Sequence, residues 1–324
     1  MRRFIFLLVT AFLLPLVACA NDNDTGHADA QPAITVYVTV DWEGWSLEPE
    51  NIEAMQAFRL RHPEIPMLQL LNPAYWVRPG TDVMGVTRQV HATLLPEDAH
   101  GLHLHAWRSL VEACGVPYQH GPLITDGPEP CPHGECGYTV SLEYAYTESQ
   151  LTQLVGCSAD LLVRQGFDRP RMFRAGAWQF GPKLAAALRA NGFKVDSSRT
   201  DARFLTQKWG DASPIVRMVG ALHPGSSVLD QPYELLPGLM ELPNNGSLAD
   251  YTTTVQIMEA FRTLLEEKKR VMVLGFHQET AFDFLDHLEA AIPQMEAATR
   301  EAGVRLEWAR YRGVPVSGGT GDKP

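Results

Sequence analysis

The chain has 324 residues, 45% of them hydrophobic and 20% charged, the balance of a globular protein with a sizeable core. Its formal net charge of −11 argues against nucleic acid and against an anionic membrane surface as direct partners. The length suits one large α/β domain or two small ones.

Arg2 and Arg3 precede an apolar run, Phe4 to Val17, that is too short to span a bilayer, so residues 1–18 read as a signal peptide. The ending Leu16-Val17-Ala18-Cys19 resembles the lipobox of bacterial lipoproteins. That resemblance implies an exported protein whose lipidated Cys19 tethers it to a membrane on the periplasmic or cell-surface side. Residues 19–32 then form the lipidated cysteine and a flexible linker, 33–310 the folded domain, and 311–324 a disordered tail.

Within the domain, strand and helix patterns alternate. The β-branched run Ala33 to Val40 is a strand that ends at Asp41-Trp42-Glu43-Gly44. A helix over Glu48–Arg61 stops before Pro63, and Ile65–Leu71 is a second strand. Thr81–Leu95 predicts a helix leading into His100-Gly101-Leu102-His103-Leu104-His105-Ala106-Trp107. On a strand, side chains repeat every two residues, so His103 and His105 share one face and the leucines the other. Periodicity fades over 112–146, a Pro- and Gly-rich excursion holding three of the four remaining cysteines. An even cysteine count in an exported chain favours disulfides. Three pairings of Cys114, Cys131, Cys136 and Cys157 are possible. Cys131 and Cys136 could close a small loop and leave Cys114 with Cys157, while a second metal site using His133 would be one ligand short.

Thr147-Glu-Ser-Gln150 has capping-box spacing and opens a helix that runs to Gly166. Arg171–Arg174 is a short strand, a helix follows from Pro182 to Asn191-Gly192, and Phe193–Val195 leads to Asp196. Residues 199–235 read as irregular. Met240–Leu242 is a strand into Pro243-Asn-Asn-Gly246, Asp250 reads as the cap of a helix to Lys269, and Val271–Leu274 is a strand ending near His277. A helix from Phe282 to Ala302 and a strand over Val304–Trp308 complete the pattern. Strands alternating with helices predict parallel pairing, with the site at the C-terminal strand ends. Those ends carry Asp41 and Glu43, His103 and His105, Arg174, Asp196 and His277. Two histidines and a carboxylate on one ion, with a position left open, describe a catalytic zinc site. A second carboxylate can act as base and a further histidine as acid.

These residues, in this order, resemble the motifs of the polysaccharide deacetylase (NodB-like) family, carbohydrate esterase family four. Thr39-Val-Asp41-Trp-Glu43 is similar to its first motif, Gly101 to Trp107 to its second, Phe173-Arg174-Ala-Gly-Ala-Trp178 to its third, Gly192 to Ser198 to its fourth and Leu274-Gly-Phe-His277 to its fifth. The resemblance runs from about Ile34 to Trp308. It implies a distorted (β/α) barrel of about seven parallel strands that binds a divalent metal, zinc first. It further implies hydrolysis of N- or O-acetyl groups on an envelope or extracellular polysaccharide by a water that the metal activates. Asp41 is then the base, held by Arg174; Glu43, His103 and His105 are the metal ligands; His277 is the acid and Asp196 a further catalytic residue. Trp178, Trp107 and Trp45 would line the sugar site. The D-x-E and H-x-H spacings depart from the commonest family pattern, which leaves open whether His100 or His105 completes the metal set. A non-catalytic glycan-binding or assembly lipoprotein on the same scaffold is the alternative.

Overall fold

A computed structural model of the chain describes residues 31–311; the expected signal peptide, Cys19 with most of the linker, and the tail from 312 onward lie outside the described residues. Strands β1 (Ala33–Asp41), β2 (Met67–Leu71) and β3 (Ala99–Leu104) alternate with helices α1 (Pro49–Arg61), α2 (Ala74–Val77) and α3 (Val83–Ala92). Helices α4 (Arg108–Ala113), α5 (Leu142–Ala145) and α6 (Glu148–Arg164) lead to β4 (Met172–Ala175), α7 (Pro182–Ala190) and β5 (Val195–Asp196). The last part holds α8 (Arg203–Trp209), α9 (Pro214–Leu222), β6 (Tyr233–Leu236), β7 (Leu239–Glu241), α10 (Thr254–Glu266), β8 (Val271–His277), α11 (Ala281–Glu301) and β9 (Arg305–Trp308).

The strands form a sheet in the order β6-β7-β5-β4-β3-β2-β1-β8, with β9 paired to the start of β1. Every pairing is parallel except β6 with β7. The expected distorted barrel is therefore present, its seven parallel strands running from β7 round to β8. Period-2 alternation sorts the side chains. Tyr37, Leu68, Leu70, Met172, Val195, Leu242, Val271 and Val273 meet in one buried cluster inside the curl. Val36, Val38, Val40, Met67, Leu71, Leu102 and Phe173 face the surrounding helices in a larger one. The interior is crowded: a Cβ on Gly275 would lie 2.2 Å from the Thr39 carbonyl oxygen, so only glycine lets β8 pass β1 there.

Between β7 and β8 the stretch 244–249 supplies the missing ladder. The Gly246 N–H donates to the Val273 carbonyl (2.8 Å), the Val273 N–H to Asn245 Oδ1 (2.8 Å) and the Ala249 N–H to the Gly275 carbonyl (2.8 Å). Asn244 Nδ2 also donates to Val273 O at 3.1 Å. An orphaned buried backbone group costs about 1–3 kcal/mol, which explains why amide side chains stand where strand partners are lacking.

The two capping boxes decide local boundaries. Thr147 and Gln150 cap α6 as the spacing predicts, and Gly166 follows its end with φ +90°. Thr253 and Gln256, not Asp250, cap α10, because Asp250 is drawn away by partners described below. Residues 199–235 are more regular than expected, holding α8, α9 and β6; Ile215, Val216 and Val219 give α9 a buried apolar stripe. The excursion is closed by two disulfides, Cys114–Cys157 and Cys131–Cys136.

The Cys114–Cys157 bridge spans 43 residues, and loop-closure entropy assigns such a link about 4 kcal/mol. The Cys114→Ala/Cys157→Ala protein is expected to unfold at lower denaturant, with an unfolding free energy reduced by roughly that amount; a change below about 1 kcal/mol in equilibrium urea titration would contradict it.

Candidate metal centre and catalytic pocket

The inward-facing residues of the strands are apolar at the bottom and polar at the top. On β1 the column runs Tyr37, Thr39, Asp41; on β3 it ends in His103, with His105 one step beyond; on β4 it ends in Arg174; on β8 it ends in His277. Parallel strands bring these ends together, and Asp41, Glu43, His103, His105 and His277 line one pocket.

Glu43 is the hub. Its carboxylate is buried, with His105 Nε2 at 2.5 Å, His277 Nε2 at 2.7 Å and His103 Nε2 at 3.6 Å. Burial alone pushes its pKa up, but His105, His277 and His103 outweigh it and hold the group well below the ordinary glutamate range. Ligand atoms of Glu43, His103 and His105 all lie within 4.8 Å of one another, the one fully buried cluster of this kind among the described residues. Glu43 Oε2, His103 Nε2 and His105 Nε2 are buried and make no hydrogen bond of full geometry, their near contacts being to one another. Buried atoms of two imidazoles and a carboxylate turned toward one another match the donor set of a divalent metal site that keeps a position open. His105, and not His100, is the histidine that stands with His103 and Glu43 in this cluster. His100 sits at the start of β3, with its Nε2 against the Asp168 carbonyl at 3.0 Å and its ring near Phe167. Glu129, Cys131 and Cys136 also cluster, but the two sulfurs are spent on their disulfide.

Support around the ligands is extensive. His105 donates from Nδ1 to the Tyr138 carbonyl (2.8 Å), which leaves the Nε2 lone pair for a metal, and the Tyr138 ring stacks on the imidazole at 4.4 Å. A Cβ on Gly176 would fall 2.5 Å from His105 Nε2, so the glycine in Arg174-Ala-Gly176 makes room for the ring. The Glu43 and Trp45 N–H groups both donate to Glu279 at 3.1 Å, and Glu279 also accepts the Tyr75 hydroxyl. Burial, reinforced by the Glu43 charge, pushes Glu279 up to about 7.

Asp41 and Arg174 form a fully buried pair, Nη1 to Oδ1 at 2.8 Å. The same Nη1 bonds Thr39 Oγ1, while Nε and Nη2 bond the Ser197 carbonyl and hydroxyl, so the guanidinium is fixed by four contacts. Asp41 Oδ2 is buried and without a partner in the pocket. Opposite it, His277 Nδ1 lies 2.9 Å from Asp250 Oδ1, and Lys208 Nζ lies 3.0 Å from Asp250 Oδ2. Burial opposes charge on His277, yet Asp250 and Glu43 raise its pKa well above the ordinary histidine value.

Asp196 is placed differently. It accepts the Ser198 N–H (3.1 Å) and hydroxyl (2.6 Å) and faces Glu241 across β5 and β7, outside the pocket lining. Among the tryptophans, Trp178 lines the pocket, its indole donating to Asn244 Oδ1 at 3.0 Å. Ala177 and Trp178 are both held at positive φ (49° and 53°), a conformation that costs non-glycine residues about 1–2 kcal/mol each and turns them to the wall. Trp107 is wholly buried and donates to the Glu43 carbonyl (2.8 Å); Trp45 packs edge-on against Trp107 and Tyr138. Both brace the Glu43 loop instead of facing a ligand. Asp250, Tyr138, Tyr251, Trp209 and Glu279 escape a sequence reading. Each comes from a loop or a short helix with no motif, and only a capping signal drew attention to Asp250.

This chain is similar to polysaccharide deacetylases of carbohydrate esterase family four. The similar solved structures include a candidate polysaccharide deacetylase from Mycobacterium smegmatis, 13% identical with a TM-score of 0.47, over 86% of this chain and 88% of that one. They also include a family 4 carbohydrate esterase from Streptomyces lividans in complex with acetate, at 10% identity and TM-score 0.42, covering 89% and 97%. A third is a pseudoenzyme of the same family from Bacillus anthracis, at 8% and 0.39, covering 87% and 64%. No protein-family model and no curated protein matches the sequence.

Two measurements test these assignments. Glu43→Gln, His103→Ala and Gly176→Ala should each lose zinc stoichiometry in elemental analysis, by at least tenfold in affinity for the ligand changes, whereas His100→Ala should keep it; loss in His100→Ala alone would reverse the assignment. The Asp196–Glu241 pair contributes to pH-dependent stability. Burial raises Asp196 to about 6 and Glu241 well above its usual value, so stability present in acid is lost as pH rises through and beyond 6. Glu241→Gln keeps the side chain neutral and should flatten that loss between pH 5 and 8 in urea unfolding; an unchanged slope would rule the pair out.

Proposed function

We propose that the chain is a metal-dependent hydrolase that removes N- or O-acetyl groups from an envelope or extracellular polysaccharide. One observation carries this reading: a buried Glu-His-His donor set shares a single pocket with a carboxylate that has one free oxygen and with a histidine hydrogen-bonded to a second carboxylate. Zinc fits two imidazoles and a carboxylate. Bound there by Glu43, His103 and His105, it would polarise the acyl carbonyl and acidify water.

The chain's own residues divide the remaining work. Asp41 Oδ2 accepts the proton of the attacking water while Arg174 keeps Oδ1 in place, so the base stays oriented. The water oxygen bonds to the carbonyl carbon and the bond to the sugar nitrogen or oxygen breaks. His277 gives its Nε2 proton to that leaving atom, and Asp250 stabilises the imidazolium beforehand. Acetate and the freed amine or hydroxyl depart, and the proton on Asp41 returns through solvent to His277.

The pocket limits what enters. Its volume is about 40 Å³, little more than the ~30 Å³ that one water occupies in the liquid, which suits an acetyl group and not a sugar ring. Ile124, Ile215 and Trp178 give the apolar wall that a methyl group needs, and Trp209, 39% exposed, stands at the pocket as a face on which a ring could stack. The disulfides suit an oxidising compartment, and a lipid on Cys19 would hold the enzyme at a membrane. Among the described residues, no helix is long and apolar enough to cross a membrane.

Acetate release from N- and O-acetylated oligosaccharides by the zinc-loaded protein is the test. Asp41→Asn should keep zinc and lose about 100-fold or more in kcat/KM, and His277→Gln should do the same. Full activity of the metal-stripped protein, or of Asp41→Asn, would overturn the mechanism.

A further inference from the structure

A second cavity, of about 290 Å³, lies between the start of α7, the end of α9 and strand β6, and shares no lining residue with the catalytic pocket. Its walls are apolar, built from Phe180, Leu222, Leu235 and Leu236. Two polar groups break that surface. His223 is only 4% exposed, and its Nδ1 accepts the Thr200 N–H at 3.3 Å, which fixes the ring hydrogen on Nε2. That Nε2 is buried and makes no hydrogen bond of full geometry, with the Phe180 backbone beside it. Burial, with the charge of Arg199 beside it, keeps His223 neutral by pushing its pKa down to about 4. The Arg199 guanidinium is anchored on Ser226 Oγ (2.9 Å) and the Pro224 carbonyl (3.3 Å), so its positive charge is positioned at the cavity. No acidic side chain lines the cavity.

An unspent N–H donor and a fixed cation at an apolar cavity define the ligand's chemistry. An apolar body fills the hollow, and an anionic acceptor meets Arg199 and His223. We propose that this cavity binds a monocarboxylate with a hydrocarbon body, of the size of a medium-chain fatty acid. The volume accommodates roughly ten water-sized groups, the size of octanoate. A carboxylate satisfies both polar groups at once, accepting from the neutral imidazole N–H and pairing with the guanidinium. An amine of the same length would set cation against Arg199 and offer no acceptor to Nε2–H. The site is independent of the deacetylase reading. It does share one chain segment with the catalytic pocket, since Phe180 follows Trp178 by two residues.

Calorimetric titration of the purified protein with sodium octanoate tests the proposal, with octylamine as the control of equal length. One saturable site is expected for octanoate, and binding of octylamine at least tenfold weaker. Arg199→Met should weaken octanoate at least tenfold, and Leu235→Trp, which fills the cavity without touching either polar group, should abolish binding. Both variants are checked for folding by thermal melting, and Leu235→Trp should retain zinc and acetate release. Absence of saturation below roughly 10 mM, equal affinity for octylamine, or octanoate binding undiminished in folded Leu235→Trp would each overturn it.

Discussion

A buried carboxylate surrounded by three imidazoles is the interaction on which the rest of the site depends. Removing an ion from water costs several kcal/mol even after the protein relaxes, so Glu43 can be buried and ionised only with strong compensation. His103, His105 and His277 provide it from two different strands, and Glu279 holds the backbone that carries Glu43. The arrangement is polarised by its outer partners. The Tyr138 carbonyl fixes His105 through Nδ1, while Asp250 fixes His277 through Nδ1. One glutamate thus faces His103 and His105 on one side and His277 on the other.

The second buried ion pair has a different purpose. Arg174 spends its guanidinium on Asp41, Thr39 and Ser197, three groups from β1 and the end of β5, so it ties both sides of the curled sheet to β4. Such a pair contributes little net stability against an apolar replacement, but removing one partner strands a buried charge. Its geometry leaves one Asp41 oxygen committed and the other open, which is the condition for a base that must not rotate.

The elements outside the parallel strands shape the pocket. The excursion closed by Cys114–Cys157 brings Ile124, Thr125, Tyr138 and Thr139 to the wall, and the α8–α9 region brings Trp209 and Ile215. These additions reduce a strand-end crevice to a small cavity. The stretch 244–249 meanwhile completes the sheet with asparagine amides and ends beside Asp250, so barrel closure and placement of the His277 partner come from the same short stretch, 244–250.

The sequence by itself determined the alternation of strands and helices, the parallel barrel, and the inward columns ending in Asp41, His103, His105, Arg174 and His277. The reason is periodicity: side chains alternate on a strand, so D-x-E and H-x-H spacings at strand ends necessarily share a face. It also carried the α6 cap, which depends on near neighbours, whereas the choice among three cysteine pairings was made by the fold that brings Cys114 to Cys157. Only the tertiary structure decided between His100 and His105, because that choice rests on which strand end meets Glu43, 62 residues earlier in the chain. The same holds for Asp250, Glu279, Tyr138 and Trp209, and for the removal of Asp196, Trp107 and Trp45 from the pocket wall. Their positions follow from loop paths and packing between distant segments, and no local pattern of residues encodes those.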